Sequence, residues 1–359
     1  GLFAFSPPMA ALGVCYNVFD GHELLRQSIL SVRSLARHVV VVWQARSNFG
    51  NPARPFLADF LKHLQEEGLV DEIIEYTVET LSLDEKKLLL CERASPDDVG
   101  GAVSASAIAE QFFHELIKRE MGRKACLRAG CTHFMSMDSD EFYEEEQLRS
   151  TLDHMVAEDY DAVMCLMYHY IKRPTLRMMP TDNMNYVPAI YKCHPHLPFR
   201  LIVPYPGMVD PTRRVEGVRR VLKCDRSQLV MHHMSLVRID FRSKITNVSN
   251  RANMVRDLDA AVSALEEWEP PAPPPHPHAL SRMLFKSVEE VDDRFGVDFS
   301  RLCSVCFQFL GERASEVAAT DSPAYCSERC EKYHLEAFSR LRKPAQSATT
   351  TTTTTTTTS

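Results

Sequence analysis

The stretch "THFMSMDSDEFY", residues 132–143, sets Asp138, Ser139, Asp140 and Glu141 directly after an apolar run of strand character. Why a buried strand should end in carboxylates is the question that decides how the chain is read. The segments before it alternate. "LGVCYNVF" (12–19) is a continuous apolar run, and "GHELLRQSILSVRSLA" repeats Leu25, Ile29, Val32 and Ala36 at helical spacing. "HVVVVWQ" (38–44) is a second β-branched run, "PFLADFLKHLQEEG" a second amphipathic helix closing at Gly68, and "VDEIIEYTV" a third strand. Residues 105–128 are helical in period again, so the acidic cluster follows the fourth strand. Fully apolar strands alternating with helices predict an α/β fold with a mostly parallel sheet covered on both faces. In such sheets ligands collect beyond the carboxyl ends of the strands, where this cluster falls.

Beyond the cluster come a helix with Leu148, Leu152, Met155 and Val156 on one face, and a strand in "YDAVMCLMYHYI". A further helix over about 250–268 carries Met254, Leu258, Val262 and Leu265. "EPPAPPPHPH" then breaks the pattern, a stiff, extended composition. The expected organisation is a main domain over 1–268, a Pro-rich linker and connecting helix over 269–299, a cysteine-bearing module over 300–342, and a threonine-rich tail over 343–359. The chain of 359 residues carries a net charge of −7, which disfavours tracking a phosphate backbone, so no nucleic-acid partner is expected. No run approaches the ~20 apolar residues of a membrane helix. Because the chain opens on Gly, an upstream anchor or signal is left open.

Asp138 and Asp140 straddle one residue, so in an extended segment both carboxylates project to one side and suit a hard cation, Mg²⁺ or Mn²⁺. A solvated acidic turn is the plain alternative. Four segments, "YNVFDGHELLRQSILSVR", "VVVVWQARSNFGNP", "KREMGRKACLRAGCTHFMSMDSDEFY" and "MHHMSLVRIDFRSK", together resemble the GT-A-fold (Rossmann-like) glycosyltransferases of the family 2-like type, over roughly residues 12–265. The resemblance implies a nucleotide-sugar donor and a D-x-D motif at Asp138 and Asp140 that holds a divalent cation on the diphosphate, with Glu141 extending it. It also implies that Asn17, Asp20 and Gln44 lie at the nucleotide pocket, with Glu23, Ser47 and Asn48 at the same rim. For Glu23, a first-turn carboxylate favoured by the helix dipole explains the residue as well.

The resemblance also implies a late histidine on the cation. His232 and His233 are neighbours on a strand and point oppositely, so one of them serves, and His233 is nearer the strand end. In "PYPGMVDPTRRVEGVRR", Arg213 and Arg214 suit diphosphate recognition, and a solvated basic loop is the alternative. Asp210 or Glu216 is the expected base that takes the acceptor's hydroxyl proton.

Cys303-x2-Cys306 and Cys326-x3-Cys330 have the spacing of a tetrahedral four-thiolate zinc site and resemble a treble-clef finger, structural or protein-binding; two disulfides are the alternative. The other cysteines read as unpaired core thiols. The expected activity is metal-dependent glycosyl transfer to an acceptor of unidentified class. Two rivals stand beside it: a catalytically inactive scaffold with a protein-binding zinc module, and a nucleotidyltransferase, the latter opposed by the lack of a Gly-rich turn near the first strand. Localisation stays open between the secretory route and the cytoplasm.

Overall fold

A computed structural model describes residues 10–90, 109–181, 186–201, 203, 205, 209–248, 257–275 and 285–299. Among them eleven strands form one sheet: β1 (Leu12–Val18), β2 (Ala36–Trp43), β3 (Glu72–Glu75), β4 (His133–Asp138), β5 (Glu141–Phe142), β6 (Ala162–Ile171), β7 (Arg173–Met179), β8 (Val187–Lys192), β9 (Val221–Lys223), β10 (Val230–Leu236) and β11 (Ser287–Glu290). The helices are α1 (His22–Arg33), α2 (Leu57–Glu66), α3 (Leu83–Leu88), α4 (Glu110–Arg128), α5 (Glu145–Ala157), α6 (Phe241–Asn247) and α7 (Leu258–Glu267). The fold is α/β, a mixed sheet with helices packed on it. Its site-bearing half, β4-β1-β2-β3, is parallel throughout, and β8 enters antiparallel between β4 and β6.

The apolar runs are continuous because both faces of these strands are covered. Val14, Tyr16 and Val18 pack with α1 and α2 residues such as Leu25, Ile29 and Phe60. Cys15, Val40 and Val42 face the opposite layer with Phe113 and Leu116 of α4. α4 comes very close to β1: a Cβ on Gly122 would lie 1.8 Å from the Cys15 sulfur, so only glycine permits this approach. The six cysteines among the described residues are unpaired, five of them buried. Among the described residues no helix is long and apolar enough to cross a membrane.

The expected linker needs correction. Trp268 and Phe285 are buried with Ile171, Leu176 and Leu265, and β11 pairs antiparallel with β7 at the sheet edge. Val297 packs with Phe142 and Tyr170. Proline composition marks where regular structure stops, but apolar residues after it return to the core. The chain divides into two units, Gly1–Phe299 and Ser300–Ser359, and the second lies outside the described residues, as do Cys303, Cys306, Cys326 and Cys330. Short α3 and α6 went unanticipated. α3 begins with a capping box, Ser82 receiving the Glu85 amide while Glu85 receives that of Ser82.

Buried histidines give the fold an acid limit. Burial pushes His22 down to about 3 and His133 down to about 4, below the ~6.5 of an unfolded histidine. Between those values the unfolded chain binds more protons than the folded one. This contribution is therefore complete above about pH 6.5 and is lost as pH falls toward 4. Thermal melts from pH 7.5 to 4.5 should show a falling midpoint, and His133→Gln should flatten the decline. An unchanged slope would remove His133 from this account.

Candidate active site

β1 has β2 on one side and β4 on the other, so the strand order reverses here, and in open α/β sheets ligands collect beyond the carboxyl ends of the strands at such a point. Asn17 of β1 and Asp138 of β4 are register partners there. Asn17 lies 8% exposed, and neither its amide nitrogen nor its amide oxygen has a hydrogen-bond partner. A buried amide is ordinarily satisfied, since an unmade hydrogen bond costs about 1–3 kcal/mol. Asp138 is the most open of the acidic cluster, with 38% of its side chain exposed.

The strand ends in carboxylates, and each of them meets cations of the same chain. Arg119 of α4 donates Nη2 to both oxygens of Asp138 at 3.3 and 3.4 Å, and Arg213 donates to Oδ2 at 3.0 Å. Burial alone would raise the Asp138 carboxyl, but Arg119 and Arg213 outweigh it and hold it at about 2. Arg213 also grips Glu141 with both terminal nitrogens. Although burial opposes its charge, Glu141 and Asp138 keep the Arg213 guanidinium firmly ionised. Asp140 is 1% exposed and binds Arg238 and, at 2.9 Å, Lys244 of α6. Against the rise that burial would impose, Lys244 and Arg238 hold its carboxyl far below the usual range.

The "YNVFDGHE" turn supports this clamp. Gly21 caps α1 at φ 71°, and a Cβ there would stand 1.7 Å from Nη1 of Arg238. Ser139 Oγ donates to the Asp20 carbonyl at 3.0 Å, tying the turn to the acidic segment. Glu23 sits in the first turn of α1 as expected, and it is also buried with Arg238 at 4.0 Å. Gly21→Ala should therefore cost about 1–2 kcal/mol from the backbone alone, plus the displacement of Arg238 from Asp140. Urea unfolding checks this, and wild-type stability in the variant would contradict it.

The two late histidines part as strand alternation requires. β10 pairs His233 with Glu141 and His232 with Phe142 of β5. His232 bonds the Tyr170 hydroxyl at 2.7 Å and stacks on that ring, which marks it as a packing residue. His233 points Nε2 at Oδ1 of Asp140 from 3.7 Å. That oxygen is buried without a hydrogen-bond partner. Burial, opposed by Asp140, holds the His233 imidazole down to about 4, so its neutral form prevails at pH 7. Asp140 Oδ1 and His233 Nε2 thus fit two positions of a divalent cation, one hard oxygen and one neutral nitrogen. Among the described residues no set of three or more His, Cys, Asp or Glu side chains converges as a metal site. A cation held here would take these two donor atoms from the protein and need phosphate or water oxygens for the rest of its shell. Both oxygens of Asp138 accept hydrogen bonds from guanidinium groups.

Other expected residues fall in different places. Gln44 accepts from buried Lys118 at 2.6 Å and donates to Asn48, which itself donates to Glu115. Ser47 closes its own loop through the amides of Phe49 and Asn51. Arg213 is buried in the cluster, which excludes a solvated loop there, whereas Arg214 turns away to the carbonyls of Val203 and Val209. Asp210 caps a single 3-10 turn, Pro211–Arg213, and stands 3.9 Å from Arg213 Nε with its side chain 43% exposed. Glu216 pairs instead with Arg200 at 3.8 Å.

Arg119, Lys118, Arg238 and Lys244 were not anticipated from the sequence. For Arg119 a signal existed: Arg119, Gly122, Arg123 and Cys126 recur at i, i+3, i+4 and i+7, and all four are buried. Charged residues on the inner stripe of a helix mark a polar site beneath it.

No family model matches the chain, and no curated protein sequence does. Solved structures with a resemblance include S. aureus TarS 1–349 in complex with UDP, at 12% identity and a TM-score of 0.28, covering 45% of this chain and 37% of that one. The complex of TarS 1–349 with UDP-GlcNAc gives 12% identity and 0.27, covering 45% and 36%. TarS 1–349 alone gives 10% and 0.35, covering 71% of this chain and 69% of that one. This chain thus spans little more than a third of the first of them.

Proposed function

We propose that the chain is a glycosyltransferase using a nucleotide sugar, its nucleotide seated at the carboxyl ends of β1 and β4 and its diphosphate directed at Asp140 and His233. The observation that carries this is Asn17: a buried, unpartnered amide at the switch point, level with a half-open carboxylate, calls for a ligand with hydrogen-bonding edges. A dinucleotide-type phosphate nest at the start of α1 is disfavoured, since Arg238 and Glu23 already occupy that end of the helix. The polar groups lie on β4, β10 and the start of α6 instead.

In this account the buried arginines fix the carboxylates before any donor arrives, so little reorganisation is left to the reaction. A divalent cation on Asp140 and His233 would offset charge on the departing diphosphate. Asp210, the better placed of the two expected bases because it shares Arg213 with Asp138, takes the proton of the acceptor hydroxyl as that oxygen bonds to the anomeric carbon. One zinc per chain on Cys303, Cys306, Cys326 and Cys330 belongs to the same proposal and is checked by metal analysis of the purified protein.

The test is release of nucleoside diphosphate from a panel of nucleotide sugars in the presence of Mn²⁺. Asn17→Ala should raise the donor KM about tenfold, as expected for one lost hydrogen bond of roughly 1.4 kcal/mol. A folded protein that releases nothing from any donor would leave a binding scaffold. Pyrophosphate release from a nucleoside triphosphate and a sugar phosphate would mark nucleotidyl transfer instead.

A further inference from the structure

Among the described residues four cations, Arg119, Arg213, Arg238 and Lys244, pair with the acidic cluster, and they are not equivalent. The side chains of Arg119, Arg213 and Arg238 are only 2–3% exposed, and their forks are turned onto Asp138, Glu141 and Asp140. Lys244 alone of the four keeps a substantial part of its side chain open, 24%, although its ammonium lies 2.9 Å from Asp140 Oδ2. The other oxygen of that carboxylate faces His233, which is equally open at 24%. Asp240 fixes the start of α6 by accepting the Ser243 amide at 2.9 Å, which sets the helix that presents Lys244.

From this asymmetry we infer that Lys244 binds the diphosphate of the nucleotide directly and supplies a share of its affinity that needs no divalent cation; the inference rests on the donor-site reading above. The reasoning is one of access and charge. A diphosphate brought to this end of the site meets the Lys244 ammonium, 2.9 Å from Asp140 Oδ2, whether or not a cation stands between it and Asp140 Oδ1. An ammonium has three N–H groups, so Lys244 can keep its bond to Asp140 and still donate to phosphate. Arg119, Arg213 and Arg238 lack that access: each is nearly sealed and turned onto a carboxylate, and even Arg238 Nη1, which has no hydrogen-bond partner, is buried. Asp140 therefore has two roles: one oxygen faces the cation position, and the other orients the lysine.

The experiment is calorimetric titration of the full chain with uridine and guanosine 5′-diphosphates and with the matching monophosphates, in EDTA and again in Mn²⁺. Wild type should bind one diphosphate measurably even in EDTA, and more tightly in Mn²⁺. Lys244→Gln should weaken diphosphate binding about tenfold or more under both conditions, the scale of one charge-assisted hydrogen bond. Monophosphate binding should stay within about twofold, and Lys244→Arg should recover most of the loss. Equal loss for mono- and diphosphate, no loss for either, or wild-type binding that vanishes in EDTA would overturn the assignment to Lys244 while leaving the donor site standing. A wild-type chain that binds none of the four nucleotides would overturn the donor-site reading itself, and this inference with it.

Discussion

Arg213→Met should lower the unfolding free energy by about 3–5 kcal/mol, the cost of leaving a buried carboxylate without its partner. Arg213 is the hinge of the charge network. It bonds both oxygens of Glu141, reaches Asp138 at 3.0 Å and donates to the Ser136 carbonyl at 3.0 Å, all from a nearly sealed position. Methionine keeps most of the volume and removes the charge, so the loss reports electrostatics rather than a cavity. A double variant, Arg213→Met with Glu141→Leu, should be less destabilised than Arg213→Met alone, because removing both partners leaves less buried charge unpaired. Urea unfolding of the single and double variants is the measurement. If the double variant loses the sum of the two single losses, Arg213 and Glu141 do not act as a pair.

Asp140→Asn should weaken Mn²⁺-dependent binding of the nucleotide by about a hundredfold or more, that is about 2.8 kcal/mol or more. The amide cannot offer a charged oxygen toward His233, and it no longer anchors Lys244 or Arg238. From the sequence Asp140 was expected as a cation ligand. The structure adds to that expectation: the residue is buried between two cations, so the variant should also melt earlier. Binding must therefore be measured well below its melting midpoint. Near wild-type affinity in a folded Asp140→Asn protein would remove the acidic motif from the site.

The parallel half of the sheet was legible because nothing competes with its signal. β1 is buried along its whole length, so its sequence is an unbroken apolar run, and the α1 and α2 stripes point inward with little interruption. The place of the acidic cluster followed from the same signal, since it comes directly after a strand. That His232 and His233 face opposite ways was legible too, because adjacent residues of a strand must.

What stayed hidden was the countercharge. Arg119 lies 19 residues before Asp138, and Arg213 lies 75 after it. Nothing local in the sequence announces such a pairing. Arg213 and Arg214 look alike as neighbours, but the 3-10 turn rotates one into the cluster and the other onto loop carbonyls. The return of residues 285–299 to the sheet edge was concealed by the proline run before it, which reads as a boundary by composition while the chain beyond it still carries Phe285 and Val297 into the core.

The most direct test of the central claim is anomalous diffraction from crystals grown with Mn²⁺ and the nucleoside diphosphate that binds best. The account predicts one manganese peak within about 2.5 Å of both Asp140 Oδ1 and His233 Nε2, as direct ligation requires, with the diphosphate against Lys244 and the nucleoside over Asn17. A nucleotide seated elsewhere on the chain, or lying at the carboxyl ends of β1 and β4 with its base away from Asn17 and its phosphates away from Asp140 and His233, would contradict it.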